Sequence, residues 1–417
     1  MPPRLIHAAD LHLDAPLRSL ALADPALRER VGDASREALR RIVDRALATR
    51  AAGLLLAGDV FDRAEQSLNA AAFFGAQMAR LHEAAVPVFM IRGNHDFDNR
   101  AAARLPLPPN VHVFGPEGGT RRVAPDGCPP VAVHGVSYDR QGAPESLLDR
   151  FGPAEPGAVN VGMLHTSLAG SGAHDRYAPC SVADLLAFGY DYWALGHVHG
   201  RTVHAERPFV VMPGAPQGRH VNEPGPRSAT EVLLGPAGIE GLAELPTASV
   251  VFERLAVALR EGDEAEPDTL CRRALAARAA GLAEGQALVA RLRLTGDAGA
   301  LRACRRHAAL WRERAAEAAR EIGDVWLEDL EIDPSPTEAG EAGPAAEIAA
   351  LMRAMAPEPA VRHALAAALE ETLEHLPPAE RRALVADDAA AAALLERLTE
   401  EAIAQIAVRL DAAGEAP

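Results

Sequence analysis

Short runs of apolar residues, each followed at once by polar residues, recur through the first half of the chain and predict buried strands. They occupy residues 4–9, 54–57, 86–91, 159–164, 190–195 and 209–212, with shorter runs near 111–114, 131–136 and 230–234. Segments 35–52 and 68–84 instead repeat their apolar residues at helical spacing, and a short helix is predicted near 181–187. Strands that alternate with helices predict an α/β fold with right-handed crossovers, in which the polar strand ends share one edge.

The pattern changes near residue 250 and predicts a smaller α/β module. Its predicted elements are strand 250–255, helix 266–282, strand 286–294, helix 298–322 and strand 325–332. Residues 333–344 have the composition of a linker, and the rest predicts only helices, with breaks at Pro357 and Pro359 and at Pro377-Pro378. The predicted organisation is a first domain over 1–245, a module over 246–332, a linker over 333–344 and a helical region over 345–417.

Composition and charge narrow the class of protein. Hydrophobic residues make up 48% of the 417 residues, and no apolar run is long enough to cross a membrane. The N-terminus lacks the apolar core of a signal peptide, so a soluble, cytoplasmic protein is expected. The four cysteines are far apart in the sequence and predict free thiols. The formal net charge of −16, concentrated toward the C-terminal end, argues against a protein that coats DNA.

Side chains that can bind a metal ion follow five of the predicted strands. They are Asp10 and His12, Asp59, Asn94 with His95, His165, and His197 with His199. In two of these pairs the residues stand two positions apart, which in an extended chain turns both side chains to one side. Because five strand ends carry the same kind of residue, and all but His95 suit metal binding, the sequence predicts a shared metal site. Carboxylate, amide and imidazole donors without thiolate suit Mn²⁺ or a similar divalent ion.

This ordered set resembles the motifs of the calcineurin-like metallophosphoesterases and, within them, of the bacterial SbcD/YhaO-type DNA repair exonucleases. The motifs are Asp10-x-His12, Gly58-Asp59-x-x-Asp62, Gly93-Asn94-His95-Asp96, His165 and Gly196-His197-x-His199. The resemblance extends over residues 1 to about 235. Two shorter stretches look like the YhaO-type branch: Tyr177-Ala178-Pro179-Cys180 and Gln217-Gly218-Arg219-His220. The implied fold is a metallophosphoesterase β-sandwich core flanked by helices, with a small α/β cap module and a C-terminal helical region.

The resemblance also implies a role for each strand-end residue. It places one divalent ion on Asp10, His12, Asp59 and His199, and the other on Asp59, Asn94, His165 and His197, so that Asp59 bridges the two. His95 would donate a proton to the leaving 3′ oxygen, with a loop-holding imidazole as the alternative. Asp62 and Asp96 would orient ligand imidazoles, with solvated loop carboxylates as the alternative. Distant nuclease relatives often have His where Asp62 stands, and many members have Pro where Gln66 stands.

Two arginines and four further histidines also carry groups that suit a binding site. Arg219 and Arg201 are candidates for phosphate binding because a guanidinium offers paired donors, and solvated surface arginines are the alternative. Some histidines stand apart from the strand-end set and are predicted to be surface or loop residues: His134, His174, His204 and His220.

The expected function is a two-metal DNA exonuclease or phosphodiesterase of DNA repair. The resemblance implies an SMC-like ATPase partner for the C-terminal helices and dimerisation of the chain. The apolar faces Leu394-Leu395-Leu398 and Ile403-Ile406-Leu410 suit such docking, and an intramolecular helical bundle explains them equally well. One alternative function is a general phosphatase or small-molecule phosphodiesterase with the same two metals. The other is a scaffold whose metal site is vestigial.

Overall fold

The structure is a computed structural model, and it describes most of the chain. The described residues are 2–15, 24–62, 67–96, 107–138, 145–168, 178–263, 266–333, 344–374, 381, 384–385 and 388–414.

The strands and helices of the described residues are numbered in chain order. The strands are β1 (Arg4–Ala8), β2 (Gly53–Ala57), β3 (Val88–Ile91), β4 (Val111–Val113), β5 (Gly119–Val123), β6 (Val131–Gly135), β7 (Val159–His165), β8 (Tyr192–Gly196), β9 (Thr202–Glu206), β10 (Phe209–Met212), β11 (Ser228–Gly235), β12 (Gly238–Pro246), β13 (Val250–Leu259), β14 (Ala287–Gly296) and β15 (Val325–Ile332). The helices are α1 (Pro25–Thr49), α2 (Leu68–Glu83), α3 (Val182–Ala187), α4 (Pro267–Ala279), α5 (Ala298–Arg306), α6 (Ala308–Ile322), α7 (Pro344–Met355), α8 (Pro359–Glu374) and α9 (Asp388–Gly414).

Two six-stranded mixed sheets form the first half of the molecule. The first has the order β12-β11-β1-β2-β3-β4, and the second has the order β5-β6-β7-β8-β10-β9. Strands β1 to β4 are parallel, as are β6, β7, β8 and β10. Strands β11, β12, β5 and β9 run antiparallel to their neighbours. The parallel strands end on one side of each sheet, and this is where the polar motifs follow.

The inner faces of the sheets pack on each other to form a sandwich. Leu5 and Leu55 of the first sheet share a core cluster with Val161 and Tyr192 of the second. Side chains alternate along a strand, so the neighbouring Leu54 turns the other way and packs with apolar residues of α1 and α2. The predicted α/β class and helix-flanked sandwich are confirmed.

Helix α1 begins ten residues earlier than the predicted start at 35. Asp24 caps it by accepting a hydrogen bond from the Leu27 amide, and Pro25 occupies the first turn, where its missing N–H is not needed. Leu27 packs in a cluster with Val250 and Ala287. These partners lie more than 200 residues away in the sequence, so local periodicity did not reveal them.

Two further predictions about elements need correction. The predicted helix 298–322 is two helices, α5 and α6, which meet at His307. Strands β5, β9 and β12 were not predicted, because they lie at sheet edges and carry the exposed polar residues typical of that position.

The chain divides into two compact units. The first consists of residues 1–254, 279–290 and 324–328, and the second of 255–278, 291–323 and 329–417. The later strands form a three-stranded sheet in the order β13-β14-β15. Within the second unit α9 contacts α7, α8 and α5. The predicted break at Pro357 and Pro359 falls between α7 and α8, while Pro377-Pro378 and most of the predicted linker lie outside the described residues.

Two predictions from composition can be compared with the structure. The cysteines Cys128, Cys180, Cys271 and Cys304 are free, as predicted. Among the helices of the described residues, none has the length and apolar character needed to span a membrane.

Candidate metal centre

The ends of β1, β2, β3, β7 and β8, with the segments that follow them, bring carboxylate and imidazole groups into overlapping clusters. In each cluster the ligand atoms lie within 4.8 Å of one another. The clusters are Asp10, His12 and His199; Asp10, Asp59 and His165; and His12, Asp62 and His95. Asp10, His12, Asp59 and His165 are at most 2% exposed. So many charged or titratable groups are buried together only when they compensate one another or bind an ion.

The segment after β1 is not extended, so the predicted alternation of Asp10 and His12 is wrong. Strand β1 ends at Ala8, and both residues adopt left-handed backbone conformations, with φ of 55° and 42°. Their side chains reach the same site because their amides donate hydrogen bonds to Gly58 O and Asp59 O, at 3.0 and 3.1 Å. Left-handed conformations cost L-residues on the order of 1 kcal/mol or more, so the surrounding structure imposes them.

Asp59 lies between His12 on one side of the site and His165 on the other. Its Oδ2 is 3.4 Å from His165 Nε2 and 3.9 Å from His12 Nε2, and its Oδ1 accepts a hydrogen bond of 2.9 Å from the His95 amide. Burial alone would raise the pKa of Asp59, but the charge and hydrogen bond of His165, together with the charges of His12 and His95, hold that pKa well below its usual range. The geometry therefore fits the bridging position expected of Asp59.

His165 turns one nitrogen to the backbone and the other to the site. Its Nδ1 donates to Ala57 O at 2.9 Å, and its Nε2 lies 3.1 Å from Asn94 Oδ1. Burial opposes the charge on the ring, but the Asp59 carboxylate dominates and raises the pKa of His165 to about 9. A proton on Nε2 then compensates the oxygens around it, and a divalent cation can occupy the same place.

His12 and His199 face each other at the other end of the site. Their Nε2 atoms are 3.2 Å apart, and His199 Nε2 is 3.9 Å from Asp10 Oδ1. His12 Nδ1 is buried with no hydrogen-bond partner among the described residues, and Asp62 Oδ2 lies 3.5 Å from it. Imidazole nitrogens this close, beside carboxylate oxygens and without thiolates, fit a divalent cation such as Mn²⁺.

His197 and His95 lie beside these clusters. The His197 amide donates to both carboxylate oxygens of Asp10, at 3.2 and 3.0 Å, and its ring centroid is 5.3 Å from that of His165. The ring of His95 is 4.9 Å from that of His12. His95 is therefore close enough to His12 and Asp62 to share an ion with them, and its role as an acid stays a prediction.

Asp62 and Asp96 make different contacts. Asp62 faces an imidazole, as expected, through the 3.5 Å approach to His12 Nδ1. Asp96 departs from the expectation, because its carboxylate accepts hydrogen bonds from the amides of Phe61 and Gly93, at 3.0 and 3.1 Å. Burial, with the charge of Asp59, raises the pKa of Asp96 to about 7, although these amides oppose the rise. Asp96 therefore connects the loops after β2 and β3.

The two candidate phosphate-binding arginines differ in position. Arg219 lies beside the site, with Nη2 2.9 Å from Glu223 Oε1 and Nη1 3.8 Å from Asp62 Oδ2. Arg201 donates to Thr230 and pairs with Glu244 at 3.1 Å, so its guanidinium is held against β11 and β12.

The remaining histidines give a mixed result. His134 was predicted to be a surface or loop residue, but it is buried in β6 between Thr120 and Asn160, at 2.9 and 3.1 Å. His204 is exposed, in agreement with the prediction, although it lies on β9 rather than in a loop. His174 lies outside the described residues.

Sequence reasoning missed residues that support the ligands from behind. Glu223 Oε1 is 2.7 Å from His199 Nδ1, and the hydroxyl of Tyr138 donates to His165 O at 2.7 Å. Neither residue belongs to the ordered motifs on which the prediction rested. Glu223 lies in a Gly- and Pro-rich loop that gives no periodic signal, so only the folded structure reveals its contact.

Comparison with known proteins places this geometry in context. Residues 3–201 match the family described as calcineurin-like phosphoesterase, and residues 252–335 match the middle domain of metallophosphoesterase YhaO. A Bacillus subtilis (strain 168) protein described as an uncharacterized metallophosphoesterase YhaO is 38% identical over 229 residues, which are 53% of this chain and 54% of that protein.

More distant similarities were also found. The DNA double-strand break repair protein Mre11 of Methanopyrus kandleri is 25% identical over 232 residues, 51% of this chain and 49% of that protein. Among solved structures, a dimetal phosphatase from Danio rerio is similar with a TM-score of 0.33 and 13% identity, over 60% of this chain and 100% of that chain. The chain spans about half the length of the curated relatives that it matches.

Proposed function

We propose, on the premise that this chain belongs to the calcineurin-like metallophosphoesterases and carries a YhaO-type middle domain, that it is a metal-dependent phosphodiesterase acting on DNA as an exonuclease in repair. As a member of that family it is a hydrolase. The finer assignment to DNA is supported by the similarity to proteins described as Mre11 DNA double-strand break repair proteins.

The observation that carries the proposal is the position of the Asp59 carboxylate between His12 on one side and His165 on the other. We propose that Asp10, His12, Asp59 and His199 hold one divalent ion and that Asp59, Asn94, His165 and His197 hold the second, with Mn²⁺ as the physiological metal. Two such ions would supply an activated water and stabilise the attacking and leaving oxygens of a phosphoryl displacement.

His95 is proposed as the residue that protonates the leaving oxygen. The hydrogen bond from its amide to Asp59 Oδ1 fixes its backbone, while its half-buried ring remains beside His12. Burial lowers the pKa of His95, although the Asp59 charge opposes this. A lower pKa makes the imidazolium a stronger proton donor and reduces the fraction of His95 that carries the proton at neutral pH.

The C-terminal helices are proposed as the docking segment for an SMC-like ATPase. Several apolar side chains of the second unit are more than a third exposed. They are Ile348, Leu351, Met355, Leu398, Ile406 and Leu410. An exposed apolar helix face of this kind suits a partner helix.

The test is release of nucleotides from linear duplex DNA in Mn²⁺, with bis(p-nitrophenyl) phosphate as a small phosphodiester measured in parallel. We expect wild type to degrade DNA and Asp59→Asn to be inactive on both substrates. Glu231→Gln is the control, because Glu231 is a buried carboxylate that pairs with Arg4 and Arg45 away from the site. Hydrolysis of the small phosphodiester alone would overturn the DNA assignment and favour the small-molecule phosphodiesterase.

A further inference from the structure

We propose that Glu223 is a positioning residue of the metal centre, which fixes the ring of His199 and is itself held by Arg219. The inference rests on the metal centre proposed above and extends it to a carboxylate in the loop between β10 and β11. Neither the strand-end motifs nor the family matches assign Glu223 a role.

The contact between Glu223 and His199 determines which ring nitrogen faces the site. Glu223 Oε1 is 2.7 Å from His199 Nδ1. Arg219 Nη2 also lies 3.0 Å from this nitrogen, but it donates to Glu223 Oε1 at the shorter distance of 2.9 Å. A carboxylate accepts hydrogen bonds and does not donate them, so the contact of 2.7 Å to Glu223 places the proton on Nδ1. The lone pair of His199 Nε2 then points into the site, where His12 Nε2 is 3.2 Å away and Asp10 Oδ1 is 3.9 Å away. A histidine that binds a metal ion needs this orientation.

Glu223 is held in one orientation by Arg219. Arg219 Nη2 donates to Glu223 Oε1 at 2.9 Å, and the Arg219 amide donates to Oε2 at 2.9 Å. Glu223 is 8% exposed, and a carboxylate so far removed from water is stable only with compensating donors. Both of its oxygens are therefore fixed before any ion binds.

Arg219 also connects the supports of the two facing imidazoles. Its Nη1 lies 3.8 Å from Asp62 Oδ2, and Asp62 Oδ2 lies 3.5 Å from His12 Nδ1. One guanidinium thus lies between a carboxylate behind His199 and a carboxylate behind His12. This places Arg219 in the support of the site, and the phosphate-binding role indicated by the sequence stays a prediction.

The backbone around Glu223 is fastened independently of these side chains. Arg227 donates to His199 O and to Pro224 O, and the Gly225 amide donates to Phe252 O at 2.9 Å. The loop is therefore hydrogen-bonded both to the His199 segment and to β13. These backbone contacts place Glu223 beside the His199 ring.

The experiment measures Mn²⁺ binding to the metal-free full chain, with free Mn²⁺ followed by its electron paramagnetic resonance signal. Wild type should bind two ions. Glu223→Ala should weaken one of them about 10- to 100-fold, the usual effect of removing a carboxylate behind a metal-binding histidine, and leave the other unchanged. Glu223→Gln should retain most of the affinity, because its amide oxygen still accepts from Nδ1.

Glu231→Ala is the matched control, since Glu231 is also buried and paired with arginine but contacts neither His12 nor His199. Both ions should bind to it as to wild type. Unchanged binding of both ions by Glu223→Ala would overturn the proposal, and so would an equal loss in Glu231→Ala or a wild type that binds no Mn²⁺. If wild type binds two Mn²⁺ ions but does not cleave DNA, the proposed function is contradicted and the role of Glu223 is not, because Mn²⁺ binding is measured without substrate.

Discussion

The imidazole of His7 on β1 and the hydroxyl of Tyr192 on β8 are joined by a hydrogen bond of 2.9 Å that crosses from one sheet to the other. The other ring nitrogen of His7 donates to Leu195 O at 3.0 Å. Complete burial lowers the pKa of His7 to about 3, although the hydrogen bond to Leu195 opposes the shift. The core of the sandwich therefore holds a neutral histidine.

Acid should destabilise the metal-free protein through His7. The unfolded chain binds a proton at this histidine below pH 6.5, whereas the folded protein does not until about pH 3. Stability is therefore lost as pH falls through this window, at about 1.4 kcal/mol per pH unit. Urea unfolding between pH 6.5 and 4.5 should show a shallower loss in His7→Gln than in wild type. The control His363→Gln changes an exposed histidine of α8 and should follow wild type.

Gly93→Ala should disrupt metal binding, because an added Cβ would lie 2.3 Å from Asp59 Oδ1 and 2.9 Å from the Asp59 amide nitrogen. Asp59 would have to move away from His12 and His165, so we expect the affinity for Mn²⁺ to fall at both metal sites. Gly75→Ala is the control, since nothing lies within 4 Å of a Cβ added there in α2. That change should leave binding intact and raise stability by up to about 1 kcal/mol. Wild-type Mn²⁺ binding by Gly93→Ala would contradict the bridging role of Asp59.

His95→Ala should slow DNA hydrolysis by about 10²- to 10⁴-fold, the range typical of a lost general acid, without changing Mn²⁺ affinity. Single-turnover rates and metal titrations on the same preparations test this. His204→Ala, at an exposed position on β9, should match wild type in both measurements. A loss of bound Mn²⁺ in His95→Ala would instead make His95 a metal ligand alongside His12 and Asp62.

Gln217→Ala should loosen the loop that carries Glu223. The Gln217 side chain accepts from the Ser249 amide at 3.0 Å and donates to Val250 O at 2.7 Å. Losing these buried hydrogen bonds should cost about 1–3 kcal/mol of stability and weaken Mn²⁺ binding, though less than Glu223→Ala does. Thermal melts and Mn²⁺ titrations provide the comparison.

Gln286→Ala is the matched control for this loop. Gln286 donates to Ala248 O at 2.8 Å and accepts from the Ala283 amide at 2.9 Å, so it holds a neighbouring segment without touching the loop. It should lose stability but keep wild-type Mn²⁺ affinity. Equal effects of the two glutamine variants on Mn²⁺ binding would show that Gln217 acts through general stability.

Much of the fold and most of the candidate site could be predicted from the sequence. Apolar runs such as 54–57 mark buried strands, because a strand covered on both faces needs a continuous hydrophobic segment. The carboxyl ends of parallel strands lie together, so a residue following each strand could be assigned to one region before the structure was known. Edge strands such as β9 escaped this reasoning because their exposed residues carry no apolar pattern.

The sequence by itself determined the candidate donor residues and their approximate location, since residue type and strand-end position are local properties. Only the tertiary structure decided how the donors are oriented. Asp10 and His12 face one cluster through left-handed turns, Asp96 bonds backbone amides, and Glu223 reaches His199 from 24 residues away. These contacts depend on loop conformations and on pairings between distant segments. Neither leaves a periodic signature, because most of the partners lie in different loops that the folded chain brings together.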